Sequence, residues 1–577
     1  MKKILTIILL FIILPSSIFV GIRIYDIYKP NSKTQDFFEI NNLKYGNINI
    51  ILGDKIIESE NSLILQGDNI YLPLDFVKEY VDKAIFWDES SQILTITTQT
   101  RLLRMIPNDL NYLLNMQPKT LDLPILHINQ VVYMPLSFVE DFYDITFLYI
   151  EENNIIIADY TATEITKKRI LTKTAQVRFE PNNKSYIAQT LEEGDLVVIH
   201  EELEDYTKIR TESGVLGYVL NKSIDFDFSV ITKAYTKYTP LNQIYEHKPL
   251  NGPVNLVWDL ITQPSANYRE SSRVSHNGLN VLSPTWFSFD LDTNNADIKS
   301  IASREYVDWA HSEGYQVWAL LSDNYDDPAL ISLNQTISGM FLSDTNKRQH
   351  VINQLLDYVE LYNLDGINID FEKVWVSDIG HFHQFLRELS PIFKERGIWL
   401  SVDVFVPADW SMYYNRKLIG ELSDFVIVMS YDDYLGTGLI GPNASIPFVE
   451  TAILNMLEEV SSEKIVMGLP FYSRIWIENL ETGQITRREV GMTLANRIFA
   501  IDNKAEFVWQ EELGVYYAEY TDFDNGEKRI HRIWLEDERS IKEKLKLVEK
   551  YGLGGVASWY RGLERQEVWD ILAESMF

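Results

Sequence analysis

Residues Asp365–Glu372 read DGINIDFE, an apolar strand pattern interrupted by carboxyl and amide side chains. Side chains alternate between the two faces of a strand, so Asn368, Asp370 and Glu372 point one way and the isoleucines the other. Burying an unpaired polar group costs on the order of 2–7 kcal/mol, and burying a charge costs more. The pattern predicts that these groups line a cleft, where neighbouring carboxylates raise one another's pKa as a general acid requires. A buried salt-bridge or capping network is the purely structural alternative.

This strand belongs to a regular alternation of apolar strands and amphipathic helices that fills the C-terminal part of the chain. Eight such units predict a (β/α)8 barrel (a TIM barrel), slightly longer than is typical, over residues 250–577. The candidate strands are 254–259, 279–287, 315–321, 364–372, 399–406, 425–432, 464–473 and 554–560. The excess length falls at about 476–533, an aromatic-rich stretch that predicts an inserted α+β flap forming one wall of a cleft.

Candidate functional residues lie at the ends of several of these strands. In such barrels the catalytic side chains sit at the carboxyl ends of the strands. Glu372 ends its strand, Tyr431 and Asp432 end another, and Trp559 lies near the end of the last. We therefore expect these side chains to converge on one mouth of the barrel. Trp286, near the end of the second strand, is a further candidate, as an aromatic ring on which a ligand could stack.

The composition of the chain limits its domain count and its partners. A chain of 577 residues is too long for one core, and at least three domains are expected. The formal charge of −31 argues against nucleic acid and against an anionic membrane surface as electrostatic partners. The chain has no cysteine, so it has no disulfide and no thiolate metal site, and no histidine pair has HExxH spacing. We predict no metal and no cofactor.

The N-terminus has the features of an export signal. Lys2 and Lys3 precede an apolar run over residues 4–22, as in segments that direct a chain across a membrane. No A-x-A-like cleavage site follows, and the run is about long enough to span a bilayer. Within residues 1–29 an uncleaved signal anchor is favoured over a cleaved signal peptide. Either form predicts an exported protein at the surface or in the wall of a bacterial, Gram-positive cell.

Residues 30–162 contain an internal repeat. The stretch YLPLDFVKEYVDKAIFWDESSQILTIT, which starts at Tyr71, recurs 62 residues later from Tyr133 as YMPLSFVEDFYDITFLYIEENNIIIAD. Each copy predicts a strand, a proline, a short helix and a hairpin. Two copies indicate a small pseudo-symmetric α+β module, since a solenoid needs at least three. The pattern resembles the domain found at the N-terminus of some copper amine oxidases, here without an assigned metal and with a structural or wall-associating role.

Residues 165–228 predict a second small module made of short alternating strands separated by turns at PNN, EEGD, ELED and ESG. The segment is similar to bacterial SH3-like β-barrels, which either hold cell-wall peptides or space domains; both roles stay open. The residues that carry this similarity are Val177, Arg178, Pro181, Gly194, Asp195, Tyr206, Ile209, Arg210, Gly214, Gly217 and Tyr218.

The motifs of the barrel together resemble those of glycoside hydrolase family 18, the chitinase-like hydrolases. DGINIDFE resembles the DxxDxDxE signature of that family. Further matches are SPTWF at 283–287, MSYD at 429–432, GLPFYSR at 468–474 and ASW at 557–559. The subtype looks like exported enzymes of spore-forming bacteria that are related to germination and to lysis of the spore cortex.

The resemblance implies a mechanism in which the 2-acetamido group of the substrate, and not a second carboxylate, attacks the anomeric carbon. Glu372 would protonate the glycosidic oxygen as the general acid. Asp370 would orient the acetamido N–H, and Tyr431 would donate a hydrogen bond to the acetamido oxygen. Asp432 is a candidate ligand of a sugar hydroxyl, and Trp559 would form the floor beneath the reacting sugar.

Asn368 departs from the strictest family pattern, which has aspartate at this position. An amide cannot share a proton with its neighbour, so we expect Asn368 to hydrogen-bond to Asp370 and to narrow or shift the pH profile without abolishing activity. Asp365 lies on the opposite face of a regular strand and is interpreted as structural, pairing with the barrel backbone.

These features predict an exported retaining hydrolase of β-1,4-linked glycans that contain N-acetylglucosamine. Peptidoglycan is favoured over chitin because wall-associated modules precede the barrel. One alternative is a catalytically weak, lectin-like barrel that binds such glycans in the wall or spore envelope. A third is an envelope-assembly protein whose N-terminal modules carry the role. The sequence leaves exo against endo cleavage open.

Overall fold

The computed structural model describes residues 29–43, 46–233, 246–269, 273–323, 336–436, 438–524 and 526–576. Its C-terminal part is a closed barrel of eight parallel strands, which confirms the predicted TIM barrel. In chain order the strands are β1 (Val254–Asp259), β2 (Val281–Pro284), β3 (Gln316–Ser322), β4 (Gly366–Asp370), β5 (Trp399–Phe405), β6 (Phe425–Met429), β7 (Ile465–Pro470) and β8 (Gly555–Trp559).

The barrel closes because β1 pairs with both β2 and β8. Leu256 lies opposite Val281 on one side, and Val254 lies opposite Gly555 on the other. Gly555 has a φ of +152°, and a Cβ atom there would lie 2.0 Å from the carbonyl oxygen of Val254. Only glycine allows the two strands to meet at this distance.

Trp258 and Trp318 lie almost fully buried in an apolar cluster with other strand residues, so Trp318 is a packing residue.

Helices surround the strands, and their ends carry the expected capping residues. The Asp344 side chain accepts a hydrogen bond from the Lys347 N–H at the start of one helix, and Gly397 ends another with a φ of +64°. The helices of this part are Arg304–Ser312, Ile337–Phe341, Thr345–Tyr362, Ile379–Arg396, Arg416–Leu422, Ile446–Leu457, Glu538–Tyr551 and Gln566–Met576.

Asp365 lies at the amino end of β4 and serves the structural role predicted for it. Its Oδ2 accepts a hydrogen bond from the Val317 backbone N–H at 2.9 Å and lies 2.8 Å from His311 Nε2, and its Oδ1 accepts from Lys248 Nζ at 3.0 Å. These contacts tie β4 to β3 at the end of the barrel opposite to the predicted site.

An inserted sheet follows β7, where the sequence predicted an α+β insertion. It is antiparallel and carries a short helix, Met492–Asn496. It begins four residues before the predicted boundary at 476, at Tyr472, and ends two residues after 533, at Leu535. Its strands are Tyr472–Asn479, Ile485–Gly491, Val508–Gln510, Val515–Asp524 and Glu527–Leu535.

The two copies of the N-terminal repeat pair directly with each other. The strands Asn69–Pro73 and Val131–Pro135 are antiparallel neighbours, with Leu72 opposite Met134. Each strand runs into a seven-residue helix, Leu74–Tyr80 or Leu136–Phe142. The remaining strands of the repeat region are Asn49–Leu52, Lys55–Ile57, Ile64–Gln66, Phe86–Asp88, Ile93–Thr97, Leu102–Met105, Asn111–Leu114, Gln117–Thr120, Leu126–Ile128, Ile145–Ile150 and Ile155–Tyr160.

The second N-terminal module is a seven-stranded antiparallel sheet. Its apolar residues form a common core with those of the repeat, including Ile51, Ile157, Val177 and Val219. Its strands are Glu164–Ile170, Thr174–Arg178, Ile187–Glu192, Leu196–Glu202, Tyr206–Thr211, Leu216–Leu220 and Ile224–Lys233.

The chain divides into two compact units. One comprises residues 1–85, 105–112 and 120–240, and the other comprises 86–104, 113–119 and 241–577. The barrel unit thus includes two short pieces of the repeat region.

The predicted export segment, residues 4–22, lies outside the described residues. Among the helices that the structure does describe, none is both long and apolar enough to cross a membrane.

A buried ion network joins one of these short pieces to the barrel. The carboxylate of Glu388, on the helix Ile379–Arg396, is fully buried and lies 2.6 Å from Arg104 Nη2 and 3.0 Å from Arg348. Gln384 donates a further hydrogen bond to it at 2.9 Å. Burial of these charges is tolerated because each has a partner.

We expect Glu388→Ala to lower the free energy of unfolding by roughly 3–5 kcal/mol, because it leaves two buried guanidinium groups without their carboxylate. Chemical denaturation of the full chain measures the loss. Asp357→Asn, at an exposed position on the helix Thr345–Tyr362, is the control and should change stability by less than about 0.5 kcal/mol. Equal stability of Glu388→Ala and the parent would contradict this account of the network.

Candidate active site

A cleft of about 530 Å³ opens at the carboxyl ends of the barrel strands. It brings together residues at or just after the ends of β4, β5, β6 and β8 with residues of the inserted sheet. The lining residues are Trp258, Asp370, Glu372, Asp403, Phe405, Val406, Ala408, Trp410, Met429, Tyr431, Asp432, Asp433, Leu435, Phe448, Tyr472, Glu489 and Trp559. Five of the seven predicted site residues are therefore in this cleft, and Asn368 and Trp286 are not.

Asp370 is the last residue of β4 and lies at the bottom of the cleft. Its side chain is buried, and its Oδ1 has no hydrogen-bond partner within the described part of the chain. Burial raises the pKa of Asp370 well above its ordinary value, and the negative charges of Glu372, Asp403 and Asp323 add to this effect. An unpaired buried carboxyl oxygen is costly, and here it belongs to a residue that lines a cavity large enough for a polar group to enter.

Glu372 lies two residues beyond the end of β4 and is partly buried. Burial raises its pKa; the Lys373 ammonium opposes this effect and the Asp432 carboxylate reinforces it. The Glu372 backbone N–H donates a hydrogen bond to Asp323 Oδ1 at 2.7 Å. The hydrogen bond to Asp323 thus fixes the backbone at Glu372. The raised pKa means that its carboxyl keeps a proton at a higher pH than an exposed glutamate does.

Asp323 is a site residue that the sequence analysis missed. It immediately follows β3, is 1% exposed, and accepts hydrogen bonds from the backbone N–H groups of Glu372 and Lys373. Burial raises the pKa of Asp323 to about 7, although those backbone hydrogen bonds oppose the shift. The rule that identified Tyr431, a polar residue at the carboxyl end of a strand, applies equally to this position.

Asn368 lies below the cleft floor and is completely buried. The sequence analysis expected its amide to reach Asp370, and the structure gives it other partners. Its Oδ1 accepts from Trp258 Nε1 at 2.9 Å and from Ser283 Oγ at 3.2 Å. Its Nδ2 donates to Ser401 Oγ at 3.0 Å and to Asp403 Oδ1 at 2.8 Å. Asn368 therefore links β1, β2 and β5 beneath the cleft.

Asp403, on β5, is a second missed residue. It is 3% exposed, and burial raises its pKa well above the ordinary value, opposed by the Asn368 hydrogen bond. The stretch SVDVF at 401–405 alternates polar and apolar residues as the strand of Asp370 does, which was the available signal. Asp323, Asp370, Glu372 and Asp403 are called the carboxyl cluster below.

Tyr431 and Asp432 follow β6 and adopt different environments. Burial raises the pKa of Tyr431 well above 10, and the tyrosine and carboxylates around it add to this, so its hydroxyl remains a hydrogen-bond donor. Asp432 has a φ of +67°, and its Oδ1 accepts from the Tyr472 hydroxyl at 2.7 Å and from Arg474 Nη2 at 2.5 Å. Both partners belong to the first strand of the inserted sheet, which therefore holds one side of the cleft.

Aromatic rings form the apolar part of the cleft. Trp559 ends β8, and its ring lies 5.7 Å from that of Trp258 at an angle of 64°. Trp410, which the sequence analysis missed, is 59% exposed and packs edge-on against Phe405. Trp286 instead lies in the core, where its Nε1 donates to Asn267 Oδ1 at 2.8 Å and only 2% of it is exposed. This placement does not fit the prediction that Trp286 stacks on a ligand.

A second cavity, also of about 530 Å³, lies in the N-terminal unit. Two of its charged side chains pair with neighbours: Asp54 lies 2.7 Å from Lys208 Nζ, and Asp159 accepts from Arg210 at 2.6 Å. Around the barrel cleft, in contrast, the carboxyls of Asp370 and Asp403 are buried, and neither forms an ion pair within the described part of the chain. The cleft is therefore the stronger candidate for chemistry.

Comparison with known proteins places this barrel among glycan hydrolases. Residues 335–564 match the model for glycosyl hydrolases family 18, and residues 51–158 match the copper amine oxidase N-terminal domain. The uncharacterized glycosylase YvbX of Bacillus subtilis is 25% identical over 315 residues, 53% of this chain and 88% of that protein. The cortical fragment-lytic enzyme of Bacillus subtilis is 27% identical over 251 residues, 42% of this chain and 57% of that enzyme.

Among solved structures, the Bacillus cereus spore cortex-lytic enzyme SleL aligns with a TM-score of 0.48 at 20% identity, covering 57% of this chain and 75% of that one. A chitinase from Chromobacterium violaceum aligns with a TM-score of 0.47 at 18% identity, covering 56% and 98%. The C-terminal barrel thus contains a glycosyl hydrolase family 18 domain, a glycosidase domain, and a copper amine oxidase N-terminal-like domain precedes it.

Proposed function

We propose that this protein is an exported retaining hydrolase of β-1,4-linked glycans that contain N-acetylglucosamine, with peptidoglycan favoured over chitin. The observation that carries the proposal is Asp370: a buried carboxyl that lines the cleft and whose Oδ1 has no hydrogen-bond partner in the described residues, close in sequence to Glu372, whose pKa is also raised. Relatives named cortical fragment-lytic enzyme and di-N-acetylchitobiase support this class of substrate.

Glu372 is proposed as the general acid. A glycosidic oxygen is a poor leaving group and must gain a proton as its bond breaks. The raised pKa supplies a protonated carboxyl at the start of the reaction. In the second step the Glu372 carboxylate takes a proton from a water molecule, the water oxygen bonds to the anomeric carbon, and the bond between that carbon and the acetamido oxygen breaks, which completes the retaining cycle.

Asp370 and Tyr431 are proposed to hold the acetamido group of the substrate. The free Oδ1 of Asp370 would accept the acetamido N–H, and the Tyr431 hydroxyl would donate to the acetamido oxygen. That oxygen then forms a bond to the anomeric carbon as the leaving group departs with the proton from Glu372. Such positioning of an internal nucleophile removes several kcal/mol from the barrier. Trp559 would support the sugar from below, and Asp432 would accept a sugar hydroxyl.

Glu372→Gln should lower kcat by at least ~100-fold on a chromogenic N-acetylglucosamine oligomer, because the amide cannot donate the required proton with comparable acidity. Glycan binding should persist. Glu360→Gln, at an exposed position of the helix Thr345–Tyr362, is the matched control and should retain parental activity. Binding without turnover by the parent protein would favour the lectin alternative instead.

The substrate should require its N-acetyl group. An oligomer with free 2-amino groups lacks the acetamido nucleophile, so we expect its hydrolysis to be slower by at least ~100-fold. Paired assays with acetylated and deacetylated oligomers of equal length measure the ratio, and product analysis from purified peptidoglycan by mass spectrometry identifies the bond that is cut. Comparable rates on both oligomers would rule out the proposed nucleophile.

Activity should fall as pH rises through the pKa of Glu372. The acid is active only when protonated, and its pKa lies above the ordinary glutamate value of about 4.3. The alkaline limb of the kcat/KM profile should therefore have its midpoint above that value. A midpoint at or below pH 4.3 would contradict the assignment of Glu372 as the acid.

A further inference from the structure

The loop that follows β4 carries the proposed acid, Glu372, beyond the end of the strand ladder. β4 pairs with β3 as far as Asp370 and with β5 as far as Ile369. Glu372 comes two residues after the end of β4 and lines the cleft. Buried backbone groups outside a ladder need other hydrogen-bond partners. The position of the acid therefore depends on the side chains that bind the backbone of residues 371–374.

Asp323, the buried residue that immediately follows β3, binds this loop through three backbone groups. Its Oδ1 accepts a hydrogen bond from the Glu372 N–H at 2.7 Å. The Lys373 N–H donates to both carboxyl oxygens of Asp323 at 3.2 Å. The N–H of Asp323 in turn donates to the carbonyl oxygen of Asp370 at 3.3 Å. Asp323 thus holds the loop from the β3 side.

Two tyrosines hold the same loop from the β5 side. The Tyr414 hydroxyl donates a hydrogen bond to the carbonyl oxygen of Phe371 at 3.0 Å. The Tyr413 hydroxyl donates to the carbonyl oxygen of Val374, also at 3.0 Å. These two carbonyl groups and the two loop N–H groups bound by Asp323 come from four consecutive residues. Every residue of this short stretch therefore has a backbone group that a side chain from a neighbouring element binds.

The tyrosines lie in a turn that is itself anchored to the end of β5. Both belong to the 3-10 turn Asp409–Tyr414. Arg416, which is fully buried, donates to the carbonyl oxygen of Phe405 at 3.1 Å and to Ser411 Oγ at 2.7 Å. Ser411 Oγ donates to the carbonyl oxygen of Val406 at 2.7 Å. The turn is thus fixed by contacts that do not involve the loop after β4.

We infer that Asp323, Tyr413 and Tyr414 are positioning residues that hold the backbone at Glu372, so that its carboxyl is in place to protonate the glycosidic oxygen. The three side chains are called the loop clamp below. The inference rests on the proposed function, since it concerns proton delivery by the same acid. Among the described residues that line the cleft, none belongs to the loop clamp. The clamp therefore acts on the reaction only through Glu372.

The effect of the loop clamp should depend on the leaving group of the substrate. A sugar alkoxide is a poor leaving group and must be protonated as its bond breaks, whereas a 3,4-dinitrophenolate departs without a proton. Proton transfer requires the donor to lie within hydrogen-bond reach, and a misplacement of about 1 Å can cost roughly 100-fold in rate. A displaced acid therefore slows cleavage of a glycan and spares cleavage of an activated aryl glycoside.

Two substrates that differ only in the leaving group test the inference: an N-acetylglucosamine trisaccharide and the 3,4-dinitrophenyl glycoside of the disaccharide. Tyr414→Phe removes one hydroxyl and should lower kcat/KM on the trisaccharide about 10-fold. Asp323→Ala removes both acceptor oxygens and should lower it about 100-fold. On the dinitrophenyl glycoside each variant should lose less than about 3-fold, because that reaction does not need the proton.

Two further variants serve as controls. Asp323→Asn keeps an acceptor oxygen for the Glu372 N–H and removes the carboxyl charge, so its kcat/KM on the trisaccharide should stay within about 3-fold of the parent. Tyr358→Phe is the match for the tyrosine variant, because the Tyr358 hydroxyl also donates to a backbone carbonyl, that of Ile298 at 2.9 Å. It should leave both rates unchanged.

Two outcomes would overturn the inference. One is an equal loss on the two substrates in Asp323→Ala and Tyr414→Phe, which is the result expected of merely structural residues. The other is an Asp323→Asn variant as slow on the trisaccharide as Asp323→Ala, since the charge and not the hydrogen bond would then account for the loss.

Amide hydrogen exchange, which does not need turnover, separates this inference from the proposed function. Asp323 binds the N–H groups of Glu372 and Lys373, so exchange in residues 371–374 of the full chain should be at least ~10-fold faster in Asp323→Ala and unchanged in Tyr358→Phe. Mass spectrometry of peptides from this segment measures the rates. If the parent cleaves neither substrate but exchange becomes faster, the proposed function fails and the hold on the loop is supported. If the parent is active and exchange is unchanged, the inference fails alone.

Discussion

The desolvation of carboxyl groups at the mouth of the barrel is the constraint on which the site depends. A carboxylate that leaves water must gain a cation, a set of hydrogen-bond donors or a proton. Asp323 takes backbone donors, and Asp403 takes the amide of Asn368. Asp370 has an oxygen without any of these among the described residues, and so it favours a proton or a ligand that brings its own N–H.

The barrel and the inserted sheet both contribute residues to the cleft. The strand ends supply the carboxyls, because parallel strands place their last residues on one rim. The inserted sheet supplies Arg474, which lies against Asp432 and compensates a charge that would otherwise add to the cluster. Elsewhere in the barrel unit, a buried carboxylate is compensated by cations: Glu388 forms ion pairs with two arginines. The charges of that network are paired, whereas Asp370 and Asp403 at the rim form no ion pair with a cation among the described residues.

Much of the fold could be predicted because strand periodicity and strand-end position are local signals. The first barrel strand was predicted over 254–259 and is Val254–Asp259 in the structure. The partners of Asn368 could not be predicted, because they come from strands far away in the sequence. Asp323 and Asp403 were missed for a different reason. A single acidic residue at a strand end is common, and only its burial beside other acidic residues indicates that it belongs to the site. The core position of Trp286 likewise depends on helix packing that no local pattern contains.

The hold of the inserted sheet on Asp432 has a consequence for engineering. Asp432 adopts a backbone conformation that non-glycine residues rarely take, and Tyr472 and Arg474 from the inserted sheet hold its side chain. A chimera that exchanges this flap for that of a related protein would need to transplant the first flap strand and the β6 loop together. A graft that carries only one of them would leave the acceptor without its donors and distort the rim.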